Sequence, residues 1–265
     1  MRTVLSGDGV RIADVACRHP AGRGRHTEQA SNLALVLVRR GCFVRSVDGV
    51  ESALDPTVGY CMSPGEEQRF DHPLDGGDDC TTLVLGDGLV ASLWGGEPRL
   101  PSGPFPVSPR IDLEHRLLLA AVRGEREPHD LVERAIALTA RALEQTDPSR
   151  VASGRPATAR ARRAIADGTR EALAERPDRS LIDLARDLAV SPHHLSRVFR
   201  SEVGHTIARH RMRLRVRGAL ERLAQGEQDL ARLAADLGFA DQSHLCRVVR
   251  SETGETPSAL RALLA

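Results

Sequence analysis

Apolar positions change their spacing part-way along the chain. Over the first 100 residues they fall in short β-branched-rich runs divided by glycine turns. Val10-Arg11-Ile12 leads into Val15 and Cys17, Leu33–Arg40 is long enough to cross a core, and Val58–Met62 and Thr81–Leu85 are shorter. Runs of this length bounded by turn residues predict strands. Cys42–Val47 meets Asp48-Gly49, a hairpin signal because both turn positions take positive φ. Gly76-Gly77 and Gly86-Asp87-Gly88 mark further turns, and His72-Pro73 with Gly76-Gly77-Asp78 predicts a loop at a rim. Many short strands at this interval predict a small barrel or sandwich.

After the proline-rich stretch Pro98–Pro109 the period becomes helical. Leu113, Leu117, Ala120 and Ala121 share one stripe, and Leu131, Ala135, Leu138, Ala142 and Leu143 share another, with Pro128 between them. These two helices are expected to pair with each other or with a second copy of the chain. Asp147–Pro156, rich in Pro, Ser and Gly, predicts a linker, and everything beyond it predicts helix.

Within the last 85 residues the pattern repeats. Leu184-Ala185-Arg186-Asp187-Leu188 matches Leu233-Ala234-Ala235-Asp236-Leu237, and HLSRVFRSEVGHT (194–206) matches HLCRVVRSETGET (244–256) at nine of thirteen positions. The offset is 49 residues before the turn and 50 after it, so the second turn is one residue longer. Each copy has a support helix with apolar residues at helical spacing: Leu181, Leu184, Ala185 and Leu188, then Leu230, Leu233, Ala234 and Leu237. A second helix follows in each copy, opened by a cap: Ser191 before Pro192, and Asp241. Leu195, Val198 and Phe199, or Leu245, Val248 and Val249, form its inner face. Its outer face carries His193, Ser196, Arg197 and Arg200, or Gln242, Ser243, His244, Arg247 and Arg250. Gly204 and Gly254 follow, where a left-handed residue ends a helix. Thr206 predicts the cap of a connecting helix from Ile207 to about Gln225.

A support helix, a tight turn and a second helix with a polar, Arg-bearing face make helix-turn-helix grammar. Arg can bond both acceptors of guanine and Gln both edge groups of adenine, so such a face suits the major groove of duplex DNA. The connecting helix also bears Arg209, Arg211, Arg213, Arg215 and Arg217. Positions two apart lie about 200° apart around a helix, so these five cannot share one face. Some are expected on phosphate and the rest on acids or water.

Charge supports this reading. Residues 1–146 hold 16 Arg against 21 Asp and Glu, net −5, whereas residues 147–265 hold 21 against 15, net +6. A basic half on an otherwise balanced chain suits a polyanion. The low aromatic content, 3%, leaves the core to Leu, Val, Ile and Ala. No basic start precedes an apolar run, and the longest apolar run, Leu33–Val38, is too short to span a bilayer, so a soluble cytoplasmic protein is expected. The five cysteines, Cys17, Cys42, Cys61, Cys80 and Cys246, form no CxxC pair and read as free thiols.

On these segments, and especially on Gly238-Phe239-Ala240-Asp241-Gln242-Ser243-His244-Leu245 with Gly254-Glu255-Thr256-Pro257, residues 160–263 resemble the DNA-binding domain of AraC-type transcriptional regulators. Leu245, Val249 and Ala259-Leu260 replace aromatic residues usual there, each apolar for apolar. The resemblance implies base contacts from His193, Ser196 and Arg197 in the first unit and Gln242, Ser243 and Arg247 in the second. His194, Arg200, His244 and Arg250 would hold phosphate. The strand pattern and domain order more loosely resemble the family's cupin-like sensor barrel and dimerisation helices.

The implied fold class is α+β. Residues 1–146 would form a cupin-like effector-binding and dimerisation domain, 147–157 a linker, and 158–265 the DNA-binding domain. The implied function is regulation of transcription by a homodimer that binds double-stranded DNA and an unnamed small-molecule effector, with RNA polymerase a partner if it activates. It implies neither catalysis nor a cofactor. The alternative is a cupin-type metal enzyme, or a cysteine-based repair or redox protein, carrying the same module. Cys17, His19, His26, Glu28, His72 and Cys80 offer donors that suit zinc or copper, but at no diagnostic spacing, so no metal is assigned. Cys42, Cys61 and Cys80 offer a thiol switch, against the simpler reading that Cys42 and Cys61 pack in a core.

Overall fold

The computed structural model describes residues 2–7, 9–18, 26–72, 77–94, 100–101, 103–124, 127–146 and 156–264. His19, the loop residues 73–76, and residues 147–155 of the expected linker lie outside them. The chain divides into two compact units, one of residues 1–107 with 121–151, the other of residues 108–120 with 152–265.

The first unit is built on two antiparallel sheets. One has the order β1 (Arg2–Gly7), β2 (Val10–Cys17), β9 (Asp78–Leu85), β4 (Leu33–Arg40), β7 (Val58–Met62) and β10 (Gly103–Pro106). The other runs β3 (His26–Gln29), β8 (Glu67–Asp71), β5 (Phe43–Val47) and β6 (Val50–Leu54). The predicted hairpin forms between β5 and β6: Val47 pairs with Val50, and Asp48 and Gly49 take φ of 50° and 75°. Strand β4 is buried from Leu33 to Val38. The core draws on both sheets, with Val36, Val38, Tyr60 and Cys80 meeting Phe43, Leu54 and Phe70. It also takes in a charge. Arg45 lies 4.6 Å over the Tyr60 ring, donates from Nε to Gln68 at 2.7 Å, and pairs with Glu66 at 2.9 Å. Helix α1 (Asp87–Trp94) follows β9, and α3 (Pro128–Leu143) lies along β1 and β2 with Leu131, Ala135, Leu138, Ala142 and Leu143 buried.

The second unit is helical. It comprises α4 (Pro156–Glu175), α5 (Leu181–Asp187), α6 (Pro192–Val203), α7 (Ile207–Ala224), α8 (Leu230–Asp236), α9 (Gln242–Thr253) and α10 (Pro257–Leu264). Most of α2 (Pro109–Arg123) also belongs to it. Leu113 is buried among Val216, Leu220 and Leu223 of α7, and Leu117 packs beside it. Asp112 accepts from Arg217 at 2.9 Å and from Arg116 at 3.2 Å. Residues 108–120, grouped in the sequence with the β-rich region, thus join the helical core. The α3 stripe is buried in the first unit, and Leu113 and Leu117 of the α2 stripe pack in the second.

Two small cores share α7. Ile207 and Leu214 close the first, with Leu173, Leu184, Ala185, Leu195 and Phe199. Val216, Ala219, Leu220 and Leu223 open the second, with Leu233, Ala234, Phe239, Leu245, Val249 and Leu260. Leu245, Val249 and Leu260, which replace aromatic residues in the resemblance above, are all fully buried.

Candidate nucleic-acid interface

Both predicted recognition helices form with their caps. Ser191 Oγ accepts the His194 N–H at 3.1 Å at the start of α6, and Asp241 Oδ1 accepts the His244 N–H at 2.7 Å at the start of α9. Gly204 and Gly254 end them in the left-handed region, at φ 84° and 89°. Thr206 Oγ1 accepts the Arg209 N–H at 3.2 Å and so opens α7.

The sequence-assigned residues fall on one side of each helix. His193, Ser196, Arg197 and Arg200 are exposed on α6 while Leu195, Val198 and Phe199 are buried. Gln242, Ser243, Arg247 and Arg250 are exposed on α9 while Leu245 and Val249 are buried. His194 and His244 are half-buried at matched positions. The His194 Nδ1 lies 3.3 Å from an Arg197 nitrogen, which can only donate, and His244 Nδ1 accepts the Ala240 N–H at 3.3 Å. An accepting Nδ1 leaves the hydrogen of a neutral imidazole on Nε2, so both rings carry the same donor. The His244 ring also meets Phe239 edge-on, with centroids 5.5 Å apart. These contacts hold the longer second turn, where Ala240 is the extra residue, against the start of α9.

The arginines of α7 divide as their spacing requires. Arg209 pairs with Glu252 at 2.6 Å and Arg217 with Asp112 at 2.9 Å. Arg211 donates to the Arg179 carbonyl, and Arg213 lies 3.4 Å from His205 Nδ1. Burial lowers the pKa of both Arg211 and Arg213 from the usual guanidinium value. These contacts use the guanidinium groups to fix α7 in the domain.

The repeat extends further than the segments first recognised. At an offset of 50, Arg163, Gly168, Glu171, Leu173 and Ala174 of α4 recur as Arg213, Gly218, Glu221, Leu223 and Ala224 of α7. The glycines do the same work. A Cβ on Gly168 would stand 2.9 Å from Leu188 Cδ2, and one on Gly218 3.0 Å from Leu237 Cδ2. Each lets the leucine that ends a support helix approach the preceding long helix. The offset is 50 here and 49 across the support helices, so the stretch from Ala174 to Leu184 is one residue longer than its counterpart from Ala224 to Leu233.

Residues 184–262 match the family model described as helix-turn-helix domain. This segment is a helix-turn-helix domain. It runs from within α5 to within α10 and contains every assigned base-reading and phosphate residue. No curated protein matches the chain. Among solved structures, the chain is similar to ToxT from Vibrio cholerae O395, at 11% identity over 97% of each chain and a TM-score of 0.37. It is also similar to the AraC-like transcriptional activator CuxR, at 14% identity over 72% of this chain and 70% of that one, TM-score 0.40. A transcriptional regulator from Chromobacterium violaceum, described as an AraC-type DNA-binding domain-containing protein, is 27% identical over 41% of this chain and 96% of its own, TM-score 0.36. Among the described residues no helix is long and apolar enough to cross a membrane.

The thiols proposed as a switch are all buried: Cys42, Cys61 and Cys80. Burial pushes the Cys61 thiol up to about 12. A thiol held protonated in the core is a poor nucleophile.

Proposed function

We propose that the chain is a sequence-specific DNA-binding transcriptional regulator controlled by a small-molecule effector taken up by its β-rich unit. One observation carries the DNA-binding part: two matched recognition helices, α6 and α9, each exposing a row of Arg, His, Ser or Gln over a buried apolar row. On this reading His193, Ser196 and Arg197, and Gln242, Ser243 and Arg247, meet base edges, where Arg and Gln can each make paired bonds to one base. Arg200 and Arg250, further along each helix, meet phosphate, as do the Nε2 hydrogens of His194 and His244. Support for sensing is organisational: an acidic β-rich unit is carried on the same chain as a basic helical one. The regulator acts as a homodimer and not as an enzyme, and engages RNA polymerase if it activates.

The full chain is expected to bind duplex DNA with an affinity that falls steeply with salt, because each neutralised phosphate releases counterions. On a site selected from random DNA, Arg247→Ala should cost about 1–3 kcal/mol at one base pair and little on unrelated DNA. Arg250→Ala should weaken both alike and reduce the salt slope by about 1. Fluorescence anisotropy over a salt series reads all three. Binding insensitive to salt would refute the proposal, and equal losses from Arg247→Ala on both DNAs would make that residue a phosphate contact.

A further inference from the structure

Strands β2 and β9 pair so that Cys17 stands directly opposite Asp78. His72, just beyond β8, has its ring beside those of Phe43 and His26, with centroids 5.7 and 6.4 Å away. One ligand atom each from Cys17, His72 and Asp78 lies within 4.8 Å of the other two. His72 and Asp78 are buried, and Cys17 is half-exposed at the strand end. The His72 Nε2 lies 2.7 Å from Asp78 Oδ1, and the other carboxylate oxygen accepts from the Cys80 thiol at 3.1 Å.

The backbone beneath this cluster is tied down. Arg18 donates to the carbonyls of Cys17 at 3.0 Å and Asp78 at 3.1 Å. A Cβ on Gly77 would stand only 1.9 Å from the Cys17 carbonyl oxygen, so the chain passes as closely as glycine permits.

A thiol and a carboxylate on paired strands of one sheet, with an imidazole from the end of the other sheet, are the donors that borderline divalent ions select, whereas calcium and magnesium take oxygen. Bonds of about 2.3 Å to sulfur and about 2.0 Å to nitrogen and oxygen put these tetrahedral ligand atoms about 3.3–3.5 Å apart. Small side-chain rotations are needed in both directions: His72 Nε2 and Asp78 Oδ1, now 2.7 Å apart, must part slightly, while the widest spacing in the cluster, up to 4.8 Å, must shorten. We propose that Cys17, His72 and Asp78 bind one zinc-class divalent ion. On binding, the thiol proton leaves to solvent, the hydrogen that His72 shares with Asp78 moves to the other ring nitrogen so that Nε2 can bind, and a fourth position stays open to water or a small ligand on the half-exposed Cys17 side. Cys80 is a positioning residue that holds Asp78 through its second oxygen, as outer-shell donors hold metal-bound carboxylates. The site stands independently of the DNA-binding reading.

Cobalt titration of the chelator-treated full chain tests this. One Co²⁺ per chain should bind, with a sulfur-to-cobalt band in the near ultraviolet and intense tetrahedral d–d bands, and Zn²⁺ should displace it. Cys17→Ser, at the exposed end of β2, should abolish the sulfur band and weaken binding by about tenfold or more, with circular dichroism unchanged. Cys80→Ala should keep the band and weaken binding by about tenfold. A band that survives in Cys17→Ser, a weak octahedral spectrum, or no uptake at one equivalent would overturn the proposal. Anisotropy on DNA run in parallel reports the other reading separately.

Discussion

Ala189 and Gly238 hold the same place in the two helix-turn-helix turns, and both are left-handed, at φ 53° and 72°. The hydrogen bonds that follow are also equivalent: Val190 N–H to Ala185 O, and Phe239 N–H to Ala234 O, each at 2.9 Å. Left-handed backbone costs a side-chain-bearing residue about 1–2 kcal/mol. The second turn avoids that cost with glycine, and the first accepts it with alanine. A Cβ on Gly238 would stand 3.4 Å from the mobile end of Arg215, so sterics add little there. Gly238→Ala should therefore destabilise the helical unit by about 1 kcal/mol through its backbone. In Ala189→Gly the relief of strain is offset by about 0.4–1 kcal/mol of unfolded-chain entropy, so it should be neutral or slightly stabilising. Urea denaturation followed by helical circular dichroism measures both. A loss above about 1 kcal/mol for Ala189→Gly would mean that its methyl group packs.

Helix α2 shows what an element gains from a partner that sequence spacing cannot name. Its stripe reads as amphipathic helix, but periodicity gives the face and not what covers it. That Leu113 and Asp112 join α7 required the structure, because the contact spans about 100 residues of chain. Leu113→Ala should cost about 2–4 kcal/mol, as for other buried leucines. Amide hydrogen exchange along Val216–Leu223 should quicken in that variant, and quickening confined to β1–β10 would contradict the packing. The strands divide by the same logic. Strand β4, rich in branched apolar residues, the short apolar run of β7, and the β5–β6 hairpin with its Asp-Gly turn were evident in the sequence. Strand β8 was not, since its inward positions are Gln68 and Phe70, and the buried glutamine works as a hydrogen-bond partner of Arg45 rather than as an apolar signal. The caps, buried apolar rows and exposed polar rows of α6 and α9 were readable in the sequence, because they are local patterns and the duplication states them twice. The Cys17, His72 and Asp78 cluster was not. It arises from strand register over some 60 residues, and in the sequence Asp78 reads only as part of a glycine turn.

At the scale of the molecule, α7 decides how the two recognition helices act. Its 18 residues span about 27 Å, and both cores are built on its length, with Leu214 in one and Val216 in the other. No flexible segment separates the units, so they are held in one spacing. Successive major-groove faces on one side of B-DNA lie about 34 Å apart. On the proposed function, a rigid connection of this kind would make the two half-sites a single asymmetric site with fixed separation. Inserting about 5 base pairs between them turns the second half-site to the far side of the duplex and should reduce affinity to that of one unit. Inserting about 10 base pairs restores the side but adds roughly a helical turn of distance, and α7 cannot lengthen to follow. The full chain should therefore bind both altered sites equally weakly by anisotropy. Recovery of tight binding with the longer insertion would show that the units move apart on DNA and that α7 is not the ruler of the site.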